Sequence, residues 1–123
     1  MRSSVRILLL LVSILTSPLT LNAQEIKNIT VTAYSYEGQK RITASGKIVC
    51  VGHIALSRDL EKKYKIKFGD QIIVKGIGTY EFQDRMPFQK NMCDIYFASK
   101  KEAILFGKKH NRIIQIVRKN QSK

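Results

Sequence analysis

The sequence predicts a mainly β domain, a compact six-stranded barrel with one or two short helices. Three observations lead there. About six short segments are dense in β-branched and aromatic residues and are separated by turn residues. Only two stretches carry helix boundaries at helical spacing. The length of 123 residues allows one core, and 44% hydrophobic with 25% charged residues marks a globular chain.

A leader precedes the strands. Arg2 and Arg6 form a basic start, Ile7 to Leu15 is mostly apolar, and Pro18 breaks the run, which is the pattern of a secretory signal peptide. Cleavage is expected after Ala23, giving a signal peptide over 1–23 and a barrel domain over 24–123. Ser13, Thr16, Ser17 and Pro18 interrupt the apolar run, whereas a bilayer span takes about 20 apolar residues. No stable membrane anchor is therefore expected after cleavage. Cys50 and Cys93 are the only cysteines and both lie well beyond the leader, which argues against a lipid-modified N-terminus. The expected location is the periplasm or the extracellular wall.

Charge points to the partner class. The net charge of +13 falls to +11 when Arg2 and Arg6 leave with the leader. Such an excess favours an anionic partner or surface. An exported chain is not expected to meet nucleic acid, so anionic cell-wall polymers are the expected match. A solvated basic surface without a specific partner is the other reading.

The first strand is expected over Ile29–Tyr36, followed by a polar loop from Glu37 to Arg41. Lys47–Leu56 reads as a second extended stretch and Gln71–Val74 as a third, closed by Gly76 and Gly78. Tyr80–Asp84, Met92–Phe97 and Arg112–Val117 complete the set. One helix is expected over Arg58–Lys63, with Ser57 as its N-cap. The other is expected over Lys100–Phe106, opened by the capping box Ser99-Lys100-Lys101-Glu102 and stopped by Gly107.

Several segments recur in a recognisable order. They are Val31-Thr32-Ala33-Tyr34, Thr43-Ala44-Ser45-Gly46, Ile54-Ala55-Leu56-Ser57, Phe68-Gly69-Asp70, Gln83-Asp84-Arg85-Met86, Cys93-Asp94-Ile95-Tyr96-Phe97, and Glu102-Ala103 through Phe106-Gly107. This series resembles the three-aspartate (3D) domain family, and Asp84-Arg85-Met86-Pro87-Phe88 also looks like its counterpart in the rare lipoprotein A barrel. The resemblance implies a double-psi β-barrel and activity on peptidoglycan, as in the C-terminal part of membrane-bound lytic transglycosylase A. It also implies that Asp84 and Asp94 are the second and third family aspartates and that Asp94 is catalytic. Ser57 stands at the position of the first, with Asp59 two residues on either substituting for it or acting as a helix-dipole partner.

Strand parity separates the two carboxylates. Asp84 shares a face with Phe82 and Tyr80, which directs it inward, where Thr43, Ser45 or turn amides are the expected donors. At that point a structural and a functional Asp84 stand level. Cys93, Ile95 and Phe97 share one face of their strand, leaving Asp94 and Tyr96 on the groove side. Partial desolvation of Asp94 between Cys93 and Ile95 raises its pKa toward the range of a general acid. Tyr34 and Tyr36 form either a platform for sugar rings or plain edge packing. Thr43, Ser45, Tyr34 and Tyr96 are thus candidate substrate-binding residues.

No cofactor or metal is expected. Cys50 and His53 have a Cys-x-x-His spacing that with Cys93 and Asp94 would make four ligands, but no second paired motif supports it, and His110 is solitary. Cys50 and Cys93 either form a disulfide, which export permits, or sit as two small buried hydrophobes. The functional expectation is a lytic transglycosylase cleaving peptidoglycan glycan strands with a single Asp as acid and base. The alternative is a non-catalytic wall-binding module using the same groove, with an anionic-lipid binder third.

Overall fold

The computed structural model describes residues 24–119, so the expected leader and residues 120–123 lie outside the described residues. Six strands form a closed barrel: β1 (Gln24–Tyr34), β2 (His53–Ser57), β3 (Gln71–Val74), β4 (Gly78–Met86), β5 (Met92–Tyr96) and β6 (Lys109–Val117). Two short helices accompany them among the described residues, α1 (Arg58–Lys63) and α2 (Lys100–Phe106). Around the barrel the order is β1-β5-β2-β4-β3-β6, returning to β1. The β1/β5 and β2/β4 pairs are parallel and the other four antiparallel. The six-stranded barrel with short helices expected from the sequence is present.

Alternation fills the interior. Ile29 and Val31 of β1, Ile54 and Leu56 of β2, Ile72 of β3 and Phe82 of β4 are fully buried, as are Cys93 of β5 and Ile114 and Ile116 of β6. A closed barrel of this size has room inside for side chains only. Truncating one of the larger ones removes contacts that nothing else replaces, typically at a cost of about 3–5 kcal/mol for Phe.

Element boundaries differ from the expectation where turns intervene. The Lys47–Leu56 stretch contracts to His53–Ser57, because Gly46 at φ 92° and Gly52 at φ 103° turn the chain on either side of residues 47–51. Ile48 and Val51 are consequently exposed, and only Val49 is buried. β1 starts earlier than expected, since Gln24, Glu25 and Ile26 pair with β6. In α2 the Ser99 hydroxyl accepts the Glu102 amide at 3.1 Å and donates to the Glu102 carboxylate at 3.0 Å. Gly107, at φ 74°, ends the helix as expected.

The Cys50–Cys93 bridge is not formed. Cys93 faces the core of β5 with no exposure, whereas Cys50 is exposed in the loop before β2. Burial, with the charge of Asp94 adding to it, pushes the Cys93 thiol up to about 12. Thiol labelling of the folded protein at pH 8 should therefore modify Cys50 alone, with Cys93 reacting only after denaturation. Labelling at neither position would show that the two are bonded.

Candidate functional site

One row of residues crosses four strands on the outer face of the barrel. Thr32 of β1 is opposite Asp94 of β5, Asp94 is opposite Ala55 of β2, and Ala55 is opposite Asp84 of β4. Residues paired this way share a face. The two carboxylates therefore flank the methyl group of Ala55, on backbones about 10 Å apart at two strand spacings. A larger residue at 55 would fill the space between them. A cavity of about 190 Å³ opens over the row, lined by Tyr34, Tyr36, Asp84, Arg85, Met86 and Asp94 among others.

Asp84 reaches this face through a β-bulge, contrary to the inward placement that simple alternation predicts. The β2/β4 register steps from Ile54↔Phe82 to Ala55↔Asp84, leaving Gln83 as an extra residue. Phe82 keeps its core position and Asp84 is rotated outward. There the Asp84 Oδ1 accepts the amides of Ala44 at 3.0 Å and Arg85 at 2.9 Å. Thr43 and Ser45 are not its donors. Their hydroxyls bond each other at 2.9 Å, and the Ser45 amide donates to the Gln83 carbonyl at 3.1 Å, so both shape the turn that presents the Ala44 amide.

Asp94 has a poorer environment for charge. The Thr32 hydroxyl donates to its Oδ1 at 2.9 Å and is its one side-chain partner among the described residues. Burial pushes the Asp94 carboxyl up to about 6, the Thr32 hydrogen bond works against the rise, and the neighbouring charge of Asp84 adds to it. A carboxylic acid half protonated near pH 6 can give and retake a proton under ordinary conditions. The groove-side placement expected of Asp94 is observed.

The tyrosines form a cluster with distinct roles. Tyr34 lies 5.6 Å from Tyr36 and 5.4 Å from Tyr96 between ring centroids, both edge-on. Tyr96 is buried and packs, which leaves it little surface to offer a sugar ring. Tyr36 carries the Arg41 guanidinium over its ring at 4.9 Å. The Tyr34 hydroxyl is buried without a hydrogen-bond partner among the described residues, and burial together with the charges of Asp84 and Asp94 drives its pKa far above the ordinary phenol value. It remains a proton-bearing donor beside the two carboxylates.

Ser57 and Asp59 hold structure together. Ser57 is fully buried at the N-cap of α1, yet its side chain makes no cap bond; the hydroxyl accepts the Met92 amide at 3.1 Å instead. Asp59 accepts the Asn91 amide at 3.0 Å, away from the Asp84–Asp94 row. Burial opposes its charge, but hydrogen bonds from Ser57 and from backbone amides hold its carboxyl below the usual range. His53 is buried, with Nδ1 accepting the Cys50 amide at 3.3 Å and Nε2 3.4 Å from Cys50 Sγ. Cys93 faces the core and Asp94 the groove, so neither joins that pair, and no cluster among the described residues is arranged to hold a metal. His110 contacts Thr30 at 3.3 Å on the surface.

Sequence reasoning missed Thr32 and Ala55 as site residues. Thr32 was detectable as the same-face neighbour of Tyr34 two positions on; Ala55 required the strand pairing. No protein-family model matches the chain, and no curated protein matches it. Among solved structures the chain is similar to Streptomyces papain inhibitor (SPI), with a TM-score of 0.55 and 16% identity over 77% of this chain and 96% of that one. The likeness supports the barrel fold.

The raised pKa of Asp94 has a stability consequence. With an ordinary value near 3.8 in the unfolded chain and about 6 when folded, its contribution is intact below pH 4 and is lost as pH rises through 6. Asp94→Asn keeps an oxygen for Thr32 and removes the charge. It should leave stability unchanged at pH 3.5 and raise it by about 1–3 kcal/mol at pH 7.5 in denaturant melts. Equal stability at both pH values would show that Asp94 titrates normally.

Proposed function

We propose that this protein is an exported, peptidoglycan-active member of the 3D family, with a double-psi barrel, acting as a lytic transglycosylase through Asp94. The observation that carries the reading is the pair of carboxylates flanking Ala55, one tied to two backbone amides and the other pushed up to about 6. Two carboxylates in different environments are what acid and charge-stabilising roles at a glycosidic bond require.

In this mechanism Asp94, protonated, gives its proton to the glycosidic oxygen as the bond from the sugar C1 to that oxygen breaks. Positive charge then develops at C1, and the Asp84 carboxylate, fixed by the Ala44 and Arg85 amides, stabilises it. The Asp94 carboxylate next removes the proton of the same sugar's 6-hydroxyl while that oxygen bonds to C1. The acid is restored and a 1,6-anhydro end is formed without water. Thr32 supports the ionised intermediate form of Asp94, and the Tyr34 ring forms part of the wall beside the two carboxylates.

A second reading has its own supporting observation. The bonds from Asp84 to two amides also suit a carboxylate that merely fixes the 43–46 turn in a wall-binding barrel. One assay separates the two. Mature protein incubated with purified peptidoglycan should release 1,6-anhydro products seen by mass spectrometry, with activity falling as pH rises above about 6. Asp94→Asn should lower the rate by about 100-fold or more with wall binding retained. Wild type that binds glycan but releases nothing would leave the binding module in place, and a reducing end instead of an anhydro end would indicate hydrolysis.

A further inference from the structure

A second groove, of about 710 Å³, lies beside the acidic cavity and shares Arg85 with it. It is built from α1, the turn that follows it, and Arg85 of β4. Its cations are Arg58, Lys62, Lys65, Lys67 and Arg85, facing the carboxylates of Asp59 and Glu61. Both oxygens of Glu61 are engaged, and Asp59 is engaged through Oδ2 while its Oδ1 is buried. Glu61 takes the Arg85 guanidinium with two bonds of 2.7 and 2.8 Å, and Asp59 accepts the Asn91 amide. Arg58, Lys62, Lys65 and Lys67 are exposed and make no ion pair among the described residues.

We propose that this groove binds an extended polyanion carrying repeated phosphate groups. Arg58 and Lys62 are four apart on one helix face, about 6 Å along the axis, and Lys65 and Lys67 continue the row past the helix end. The row is longer than a single anion. The half-buried fork of Arg85 is filled by Glu61, leaving Arg58 and three lysine ammonium groups, point charges that suit the closely and regularly spaced charges of a phosphate chain. Ile66 is the one apolar residue lining the groove and is itself buried, so the side chains that reach its rim are charged. Since Arg85 lines both cavities, a chain held in the groove leads toward Asp94. Identifying that chain as a wall polymer rests on the proposed export and wall role; the phosphate affinity stands by itself.

Isothermal titration calorimetry tests this with three probes: long-chain inorganic polyphosphate, orthophosphate, and phosphatidylglycerol vesicles. The groove variant is Lys62→Gln/Lys65→Gly/Lys67→Gln. Glycine suits position 65, where Lys65 holds φ 52°, so that exchange should not harm the fold. The control, Lys27→Gln/Lys40→Gln/Lys47→Gln, removes the same charge at exposed positions outside the groove. Polyphosphate should bind the full-length mature protein most tightly. At about 50 mM salt the groove variant should lose about tenfold or more in affinity, with a salt slope smaller by roughly 2–3, and the control less than about threefold. Equal weakening in both variants would reduce the effect to diffuse charge and overturn the proposal. So would absence of wild-type binding, or orthophosphate binding as tightly as the polymer. Vesicle binding that needs the groove when polyphosphate binding does not would assign the surface to lipid. Asp94→Asn should bind polyphosphate normally, so a failure of the catalytic reading leaves this result unaffected.

Discussion

Gln83 stands in β4 with no partner of its own in β2, and the arrangement of the outer face follows from that extra residue. Before it, Phe82 obeys the alternation that packs the core; after it, Asp84 turns outward instead of entering an apolar interior. A carboxylate in the interior would be costly without donors to match it. The bulge also fixes what surrounds Asp84, because the Gln83 carbonyl accepts the Ser45 amide and so anchors the turn that supplies the Ala44 amide. Strand pairing does the rest, lining up Asp84, Ala55, Asp94 and Thr32 across neighbouring strands.

The same side chain behaves differently according to what borders it. Asp84 has two amides on one oxygen, whereas Asp94 has a single hydroxyl partner and lies over the core with Asp84 as a like-charged neighbour. Asp70 is structural. It is buried, accepts the amides of Lys67 and Lys119 at 2.9 Å each, and lies 3.6 Å from the Arg118 guanidinium, tying β3 to the end of the chain described. A count of carboxylates alone would not distinguish these roles; the number and kind of their donors does.

Much of the fold was legible because its signals are local. The capping residues around Lys100–Phe106 and the glycines after Gln71–Val74 act within a few positions, and those boundaries match the observed elements. The face of Asp94 was legible for the same reason, as β5 runs without a bulge against β2. The orientation of Asp84 was not, since a bulge depends on how two strands align across the barrel. Lys47–Leu56 looked extended because its residues favour strands, although two left-handed glycines prevent most of it from joining the sheet. Ser57 matched an N-cap by position, but its hydroxyl is taken by an amide from β5 that no local pattern reveals.

Barrel closure joins the first described strand to the last: Gln24, Glu25 and Ile26 of β1 pair with Ile116, Gln115 and Ile114 of β6. Contacts of such high sequence separation make a high contact order, and they form slowly because a long loop must close before they stabilise anything. Until then β1 and β6 each present an open edge, with apolar Ile29, Val31, Ile114 and Ile116 uncovered beside it. The finished barrel has no free edge, so the period of greatest aggregation risk ends when these two strands meet. Synthesis and folding of such a chain are best separated from high concentrations of its own unfolded copies.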